Sequence, residues 1–292
     1  MGHLPISSAA AFRLLGTAAK VRSVPAADAG ELAFTARMMV LATLPHSDPG
    51  NVASWKRRNG DFVLGIQPGL DKGIPYGSYP RLVLAWLCTE AVRTRRREIV
   101  LGDSLRAFMS GLGLSATGGK NGTIPALREQ MTRLFSARVS AVYSPEDGGG
   151  WGFESVEVAN RAEMWWDEKR PDQGGLWQST VTLGETLFNE ILAAPVPIDA
   201  RILREIKGSP LALDLYMWMT YRVSYLDASV GLSWDQLHRQ LGAEYADMKE
   251  FAREVRKQLR RIKALWPSLN YTTPRGRLVL HPSVPSIPKL SG

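Results

Sequence analysis

Cysteine is nearly absent from this chain of 292 residues: Cys88 stands alone, so no disulfide can form within it. Histidine is scarce as well. His3, His46, His238 and His281 are far apart, and one cysteine with four scattered histidines cannot build a structural zinc site. No uninterrupted run of about 18 apolar residues is present to span a bilayer. Acidic groups are the scarcer charge, 28 against 36 basic ones, which gives a net charge of +8. Apolar residues are not lacking: at 45% they exclude wholesale disorder, and the length supports one large domain or two ordinary ones. The lack of cysteine pairs points to a reducing cytosolic compartment, and the basic balance points to a polyanionic partner.

The position of the charge says more than its sum. Residues 93–143 carry a net +6, residues 144–198 a net −7, and residues 233–292 again a net +6. Two nucleic-acid-facing modules joined by a non-binding segment would give this pattern, provided the basic residues of each block share a face.

The element order supports two modules. Residues 1–30 are Ala- and Ser-rich with few charges, and are expected to form a flexible N-terminal arm. Strand-like stretches at 32–44 and 61–66 flank a polar turn region. Ser78 and Pro80 open a helix to Thr94, residues 98–101 read as a strand, Asp103 caps a second helix, and Thr123 begins a third. Two strands, 137–143 and 153–159, would then form a hairpin around the turn 144–150. Helix, strand, helix, helix, hairpin is the order of a winged helix, whose third helix enters the major groove.

The order then recurs. A strand at 177–181 leads to a helix from the capping box Thr182–Glu185, and Pro195 and Pro197 mark a linker. Ser209-Pro210 begins a long apolar helix, Ser233–Gln236 is a capping box for a short one, and a long helix runs from about Asp247 to Trp266. Strands at 269–273 and 277–281 would form the closing wing around Pro274-Arg275-Gly276. The expected fold is α+β with two tandem winged helices: residues 31–198, available for pairing with another protein and for auxiliary DNA contact, and residues 199–292 for principal DNA recognition.

The last long helix carries the most specific pattern. At about 100° per residue, Met248, Phe251, Val255, Leu259, Ile262 and Trp266 fall in one sector, and Lys249, Arg253, Arg256, Arg260 and Lys263 in another that contains no acid. A solvated amphipathic helix usually interleaves acids and bases, so an all-basic stripe fits phosphate and base edges better. The candidate DNA-contacting residues are therefore Lys249, Arg253, Arg256, Lys257, Arg260 and Lys263 on this helix, Arg275 and Arg277 on its wing, and Lys120 and Arg128 in the first module. Lys249, Arg253 and Arg256, near the helix start, are placed to approach bases, and Arg260 and Lys263 phosphates.

Enzyme readings fail on spacing. Gly113 to Lys120 resembles a phosphate loop, but Leu114 stands where its first glycine should be and Asn121 follows the lysine. The pair Asp167-Glu168 beside Trp165-Trp166 has no partner for a metal site. No catalytic residue, metal or cofactor is expected.

Gly73-Ile-Pro-Tyr-Gly-Ser-Tyr-Pro-Arg81, Ala91-Val-Arg-Thr94, Leu101-Gly-Asp-Ser-Leu-Arg-Ala-Phe-Met109, Thr117-Gly-Gly119 and Leu127-Arg-Glu-Gln-Met-Thr-Arg-Leu-Phe-Ser136 resemble the plasmid-encoded RepA-type replication initiators of bacteria, over roughly residues 32 to 281. The resemblance implies binding to direct repeats (iterons) in double-stranded origin DNA, opening of that DNA, recruitment of a host initiator and helicase, and repression of the protein's own promoter. It also implies a first winged helix used for homodimer contacts and a second for DNA reading. The alternative reading is a winged-helix transcriptional regulator without an initiation role, and a third is an RNA-binding or purely structural interaction protein; the motifs within 73–136 favour the initiator.

Overall fold

The computed structural model describes residues 8–41, 43–70, 72–143, 152–165, 170–172, 178–241 and 245–288. Ser8–Ser23, expected to be part of a flexible arm, forms a four-turn helix, α1. Its Ala-rich sequence has high intrinsic helix propensity. Leu32–Ala36 (β1) leads into the short helix Arg37–Leu41 (α2), so the expected long strand to residue 44 is broken. Trp55–Asn59 (β2) and Phe62–Gln67 (β3) form a hairpin in which Gly60, at φ 57°, supplies the left-handed turn residue.

Ser78–Thr94 (α3), Glu98–Val100 (β4), Leu105–Gly111 (α4) and Thr123–Ser136 (α5) follow in the expected order. The α4 cap is Ser104, whose Oγ accepts from the Ala107 N–H at 3.2 Å, not Asp103. The hairpin that closes this module is not the expected one. Arg138–Tyr143 (β5) and Gly152–Glu157 (β6) pair with each other, but β5 takes β3 as its other neighbour, giving a four-stranded sheet in the order β2-β3-β5-β6. The reason is apolar register: buried Val139 and Ala141 of β5 stand opposite buried Ile66 and Leu64 of β3. The winged-helix strands are instead Ala159–Glu163 (β7) and Thr180–Leu183 (β8), in a sheet ordered β4-β8-β7 with Ile99 opposite Val181. Strands β5 and β6 are thus inserted between the third helix and its wing strands, and they complete a sheet with β2 and β3, which precede α3. The turn 144–150, with Glu146 and Asp147, lies outside the described residues, as do Trp166, Asp167 and Glu168.

Glu185–Ala193 (α6) starts after Gly184, not at the Thr182 capping box, because Thr182 is still paired in β8 with Glu98. A Cβ at Gly184 would lie 2.1 Å from the Glu157 carbonyl oxygen, so glycine alone fits this corner. Pro195–Asp199 (β9), expected as a linker, is a strand antiparallel to β1, with Pro197 opposite Phe34. Prolines are tolerated there because the sheet has only these two strands and β9 keeps a free edge. Ala200–Ile206 (α7) and Pro210–Val223 (α8) complete the connection. Every residue of α8 from Leu211 to Thr220 is buried, and the helix packs against β9, α2 and α3. A helix apolar on all sides belongs inside, and α8 serves both halves of the molecule.

The second winged helix begins with α8. Val230–Ser233 (β10), a strand not among those expected, is followed by Trp234–Leu241 (α9), Met248–Leu265 (α10), Tyr271–Thr272 (β11) and Arg277–Leu280 (β12). Its sheet has the order β10-β12-β11, the same first-third-second order as β4-β8-β7. The fold is α+β, with two winged helices in tandem. Helix α1 packs on α7 and α10, and Arg201 fastens its end by donating to the carbonyls of Lys20 and Val24, both at 3.0 Å.

Candidate nucleic-acid interface

Helix α10 is built to present one face. Asp247 caps it by accepting from the Lys249 N–H at 2.8 Å. Phe251, Val255, Leu259 and Ile262 are fully buried, and each such burial contributes about 1.5–3 kcal/mol. That commitment fixes the helix's rotation about its axis, and the basic stripe is left toward solvent. Helix α9 is set by the reciprocal box that its sequence predicts: Ser233 Oγ accepts from the Gln236 N–H at 3.2 Å, and Gln236 Oε1 accepts from the Ser233 N–H at 2.9 Å.

The basic side chains of α10 are in different states. Lys249, Arg253 and Arg260 are exposed. Arg253 pairs with Glu250 at 3.1 Å, both largely in water, a contact too weak to hold the guanidinium against a phosphate. Arg256 is half-buried, its guanidinium carbon 4.7 Å from the ring centre of Trp234, the first residue of α9. This cation–π contact aims Arg256 along the helix–turn–helix face. Lys257, turned toward the acidic side, pairs with Glu254 at 3.0 Å. Lys263 donates to the carbonyls of Pro267 and Leu269, at 2.7 and 2.6 Å, and so fastens the turn after the helix.

The wing stands beside this face. Gly276, at φ 84°, makes the turn between β11 and β12, and its carbonyl accepts from the Trp234 N–H at 3.2 Å. The turn and the start of α9 are therefore one unit. Arg275 and Arg277 are exposed at the turn, and Arg277 stands opposite Ser233 in the sheet. The eight candidate residues of the second module thus share a continuous helix–turn–helix and wing. Lys120 and Arg128 are exposed elsewhere, before and on α5 of the first winged helix. Sequence reasoning passed over Lys56 and Arg58, exposed on edge strand β2, which packs beside α9. Their only signal is a period-two alternation in Trp55-Lys-Arg-Arg-Asn59. His238 plays a packing part, edge-on to Phe251 with ring centres 5.0 Å apart.

No group of three or more His, Cys, Asp or Glu side chains that could hold a metal occurs among the described residues, and no described helix is long and apolar enough to cross a membrane.

A sequence profile of the family described as "Plasmid encoded RepA protein" matches residues 74–236. Among solved structures, the crystal structure of RctB domains 2-3 is similar to this chain with a TM-score of 0.53 and 15% identity, covering 84% of this chain and 96% of that one. A second crystal structure of the same two RctB domains, with selenomethionine, has a TM-score of 0.54 at 12% identity, covering 84% and 95%. At these identities the likeness is one of fold. No curated protein sequence matches.

Proposed function

The chain belongs to the family of plasmid-encoded RepA proteins, the replication initiators of plasmids, and from that premise we propose that it binds directly repeated sites in double-stranded origin DNA, helps to open the duplex and recruits a host initiator and helicase. The observation that carries the DNA-binding part is the basic face of α10 continued by the wing: five basic residues on one stripe, with Arg275 and Arg277 beside them. In this reading α10 enters the major groove. Arg253 and Arg256 read base edges, Arg260 and Arg275 hold phosphates, and Lys249, Lys257, Lys263 and Arg277 add to the local positive field. Lys120 and Arg128 give auxiliary backbone contact from α5. Residues 31–198 act as the module that pairs with a second copy, and residues 199–292 as the principal DNA reader. The protein works in the bacterial cytoplasm, without a catalytic centre or cofactor of its own.

Replication of a minimal plasmid tests the proposal. A plasmid carrying the origin repeats but not this gene should replicate only when the protein is supplied in trans. An Arg253→Ala/Arg256→Ala variant should fail to support it. Replication in the absence of the protein would leave a DNA-binding regulator as the better reading.

A further inference from the structure

A second basic site lies away from the α10 face. A cleft of about 380 Å³ opens between α1, α7 and the loop after α4. Along α1, Arg13, Thr17 and Lys20 recur at steps of four and three and so line it as one stripe. From α7 and its end come Arg201, Arg204 and Lys207.

Pairing within the cleft leaves cations over. Arg201 is held by Asp199, with 2.7 Å between Nη2 and Oδ2, and Arg204 by Glu31 at 2.6 Å. Lys207 donates to a neutral acceptor, the Gly113 carbonyl. The side chains of Arg13 and Lys20 are exposed and have no hydrogen-bond or ion-pair partner among the described residues. Arg13, Lys20 and Lys207 therefore face one remaining carboxylate, Glu205, which accepts from the Thr17 hydroxyl at 3.2 Å. Burial, with the charges of Arg13 and Arg204 nearby, holds the Lys207 ammonium below the usual lysine range. Convergence of like charges at a concave surface costs free energy that an anion relieves, and low-dielectric walls strengthen that attraction.

We propose that this cleft is a binding site for a phosphate-bearing anion, with Arg13 and Lys20 of α1 closing on it from one side and Lys207 from the other. The ligand class is a phosphate or pyrophosphate group. It can belong to a soluble nucleotide-like molecule or to the backbone of DNA passing behind the second winged helix. Because α1 also packs on α10, an anion in the cleft would brace the helix that supports the proposed recognition helix.

The test uses the full chain and inorganic pyrophosphate, titrated calorimetrically at constant ionic strength. Saturable binding is expected, weakened at least tenfold by Arg13→Ala/Lys20→Ala and unchanged by Lys249→Ala on the α10 face. Both replaced cleft residues are exposed, and circular dichroism checks that the helix content of the double variant is retained. A parallel salt series with non-specific duplex DNA separates the sources. A slope reduced by about two in the double variant assigns the site to DNA phosphates, and an unchanged slope with lost pyrophosphate binding assigns it to a soluble anion. No saturable pyrophosphate binding together with an unchanged slope overturns the proposal, as does an equal loss on Lys249→Ala. The pyrophosphate arm needs no DNA, so failure of this site and failure of the DNA-binding reading are told apart.

Discussion

Arg81 of α3 and Asp214 of α8 form a buried, two-pronged ion pair, Nε to Oδ1 and Nη2 to Oδ2, each at 2.7 Å. The pair ties the first helix of one winged helix to the first helix of the other. The three remaining guanidinium N–H groups donate to the carbonyls of Leu44, Pro45 and Gly77, at 2.6, 3.1 and 2.6 Å. With all five donors used, no other side chain can replace this one. His46 adds a third member, its Nε2 at 2.7 Å from Asp214 Oδ2. Removing one partner from a buried pair strands the other, so Arg81→Leu or Asp214→Ala should each cost about 3–5 kcal/mol in denaturant unfolding. Arg81→Lys should cost nearly as much, since an ammonium cannot reproduce the fork.

The same cluster sets a pH dependence. Burial holds the His46 imidazole below its ordinary value, against the pull of Asp214. The unfolded chain takes up that proton near pH ~6.5, and the folded chain only lower, so the unfolded state binds more protons in between. Stability is therefore full above about pH 6.5 and falls as the pH drops below it. Asp214 acts in the same direction at lower pH. Burial pushes its carboxyl up, but Arg81 and His46 outweigh that and hold it below the usual range. Urea midpoints measured from pH 8 to pH 5 should decline, and His46→Gln should flatten the upper part of that decline.

The two arginines proposed to hold phosphates, Arg260 and Arg275, should differ from Lys263. Replacing Arg260 or Arg275 with alanine should lower the slope of log K against log salt by about one each, with little effect on folding because both are exposed. Lys263 is held by two carbonyls. Lys263→Met should instead lower stability by about 1 kcal/mol and change the slope less than the arginine variants do.

Trp234 should matter to DNA binding without touching DNA. Its ring positions the Arg256 guanidinium, a contact of about 0.5–1 kcal/mol at a partly exposed site. Trp234→Leu should weaken binding to the preferred repeat more than to scrambled DNA, measured as the ratio of the two affinities.

Cys88 is fully inside α3, and burial pushes its thiol up to about 12. It should not react with a thiol reagent at pH 8 while the protein is folded, and should react once in denaturant.

The readable and unreadable parts of this protein divide by range in sequence. The α10 stripe was legible because helical spacing is local, and Phe251 to Ile262 alone determine which side faces water. The identity of the first wing was not, because β5 has two valid uses and its choice depends on Leu64 and Ile66, far upstream. Strand β10 has only four residues, and its partner β12 lies beyond α9 and α10 in the chain. Arg81 stood in the motif that carries the family resemblance, but nothing local shows that its partner is Asp214 on another helix. The anion cleft was hidden for the same reason: Arg13 and Lys207 are brought together only by the folded chain.

The most direct measurement is the affinity of the protein for duplex DNA carrying the origin's direct repeats, compared with scrambled DNA of equal length across a salt series. The expected result is a preference for the repeats of at least about 10³-fold at physiological salt, largely lost in the Arg253→Ala/Arg256→Ala variant. Equal affinity of the wild-type protein for both duplexes, or wild-type binding by that variant, would contradict the assignment of α10 as the reading helix.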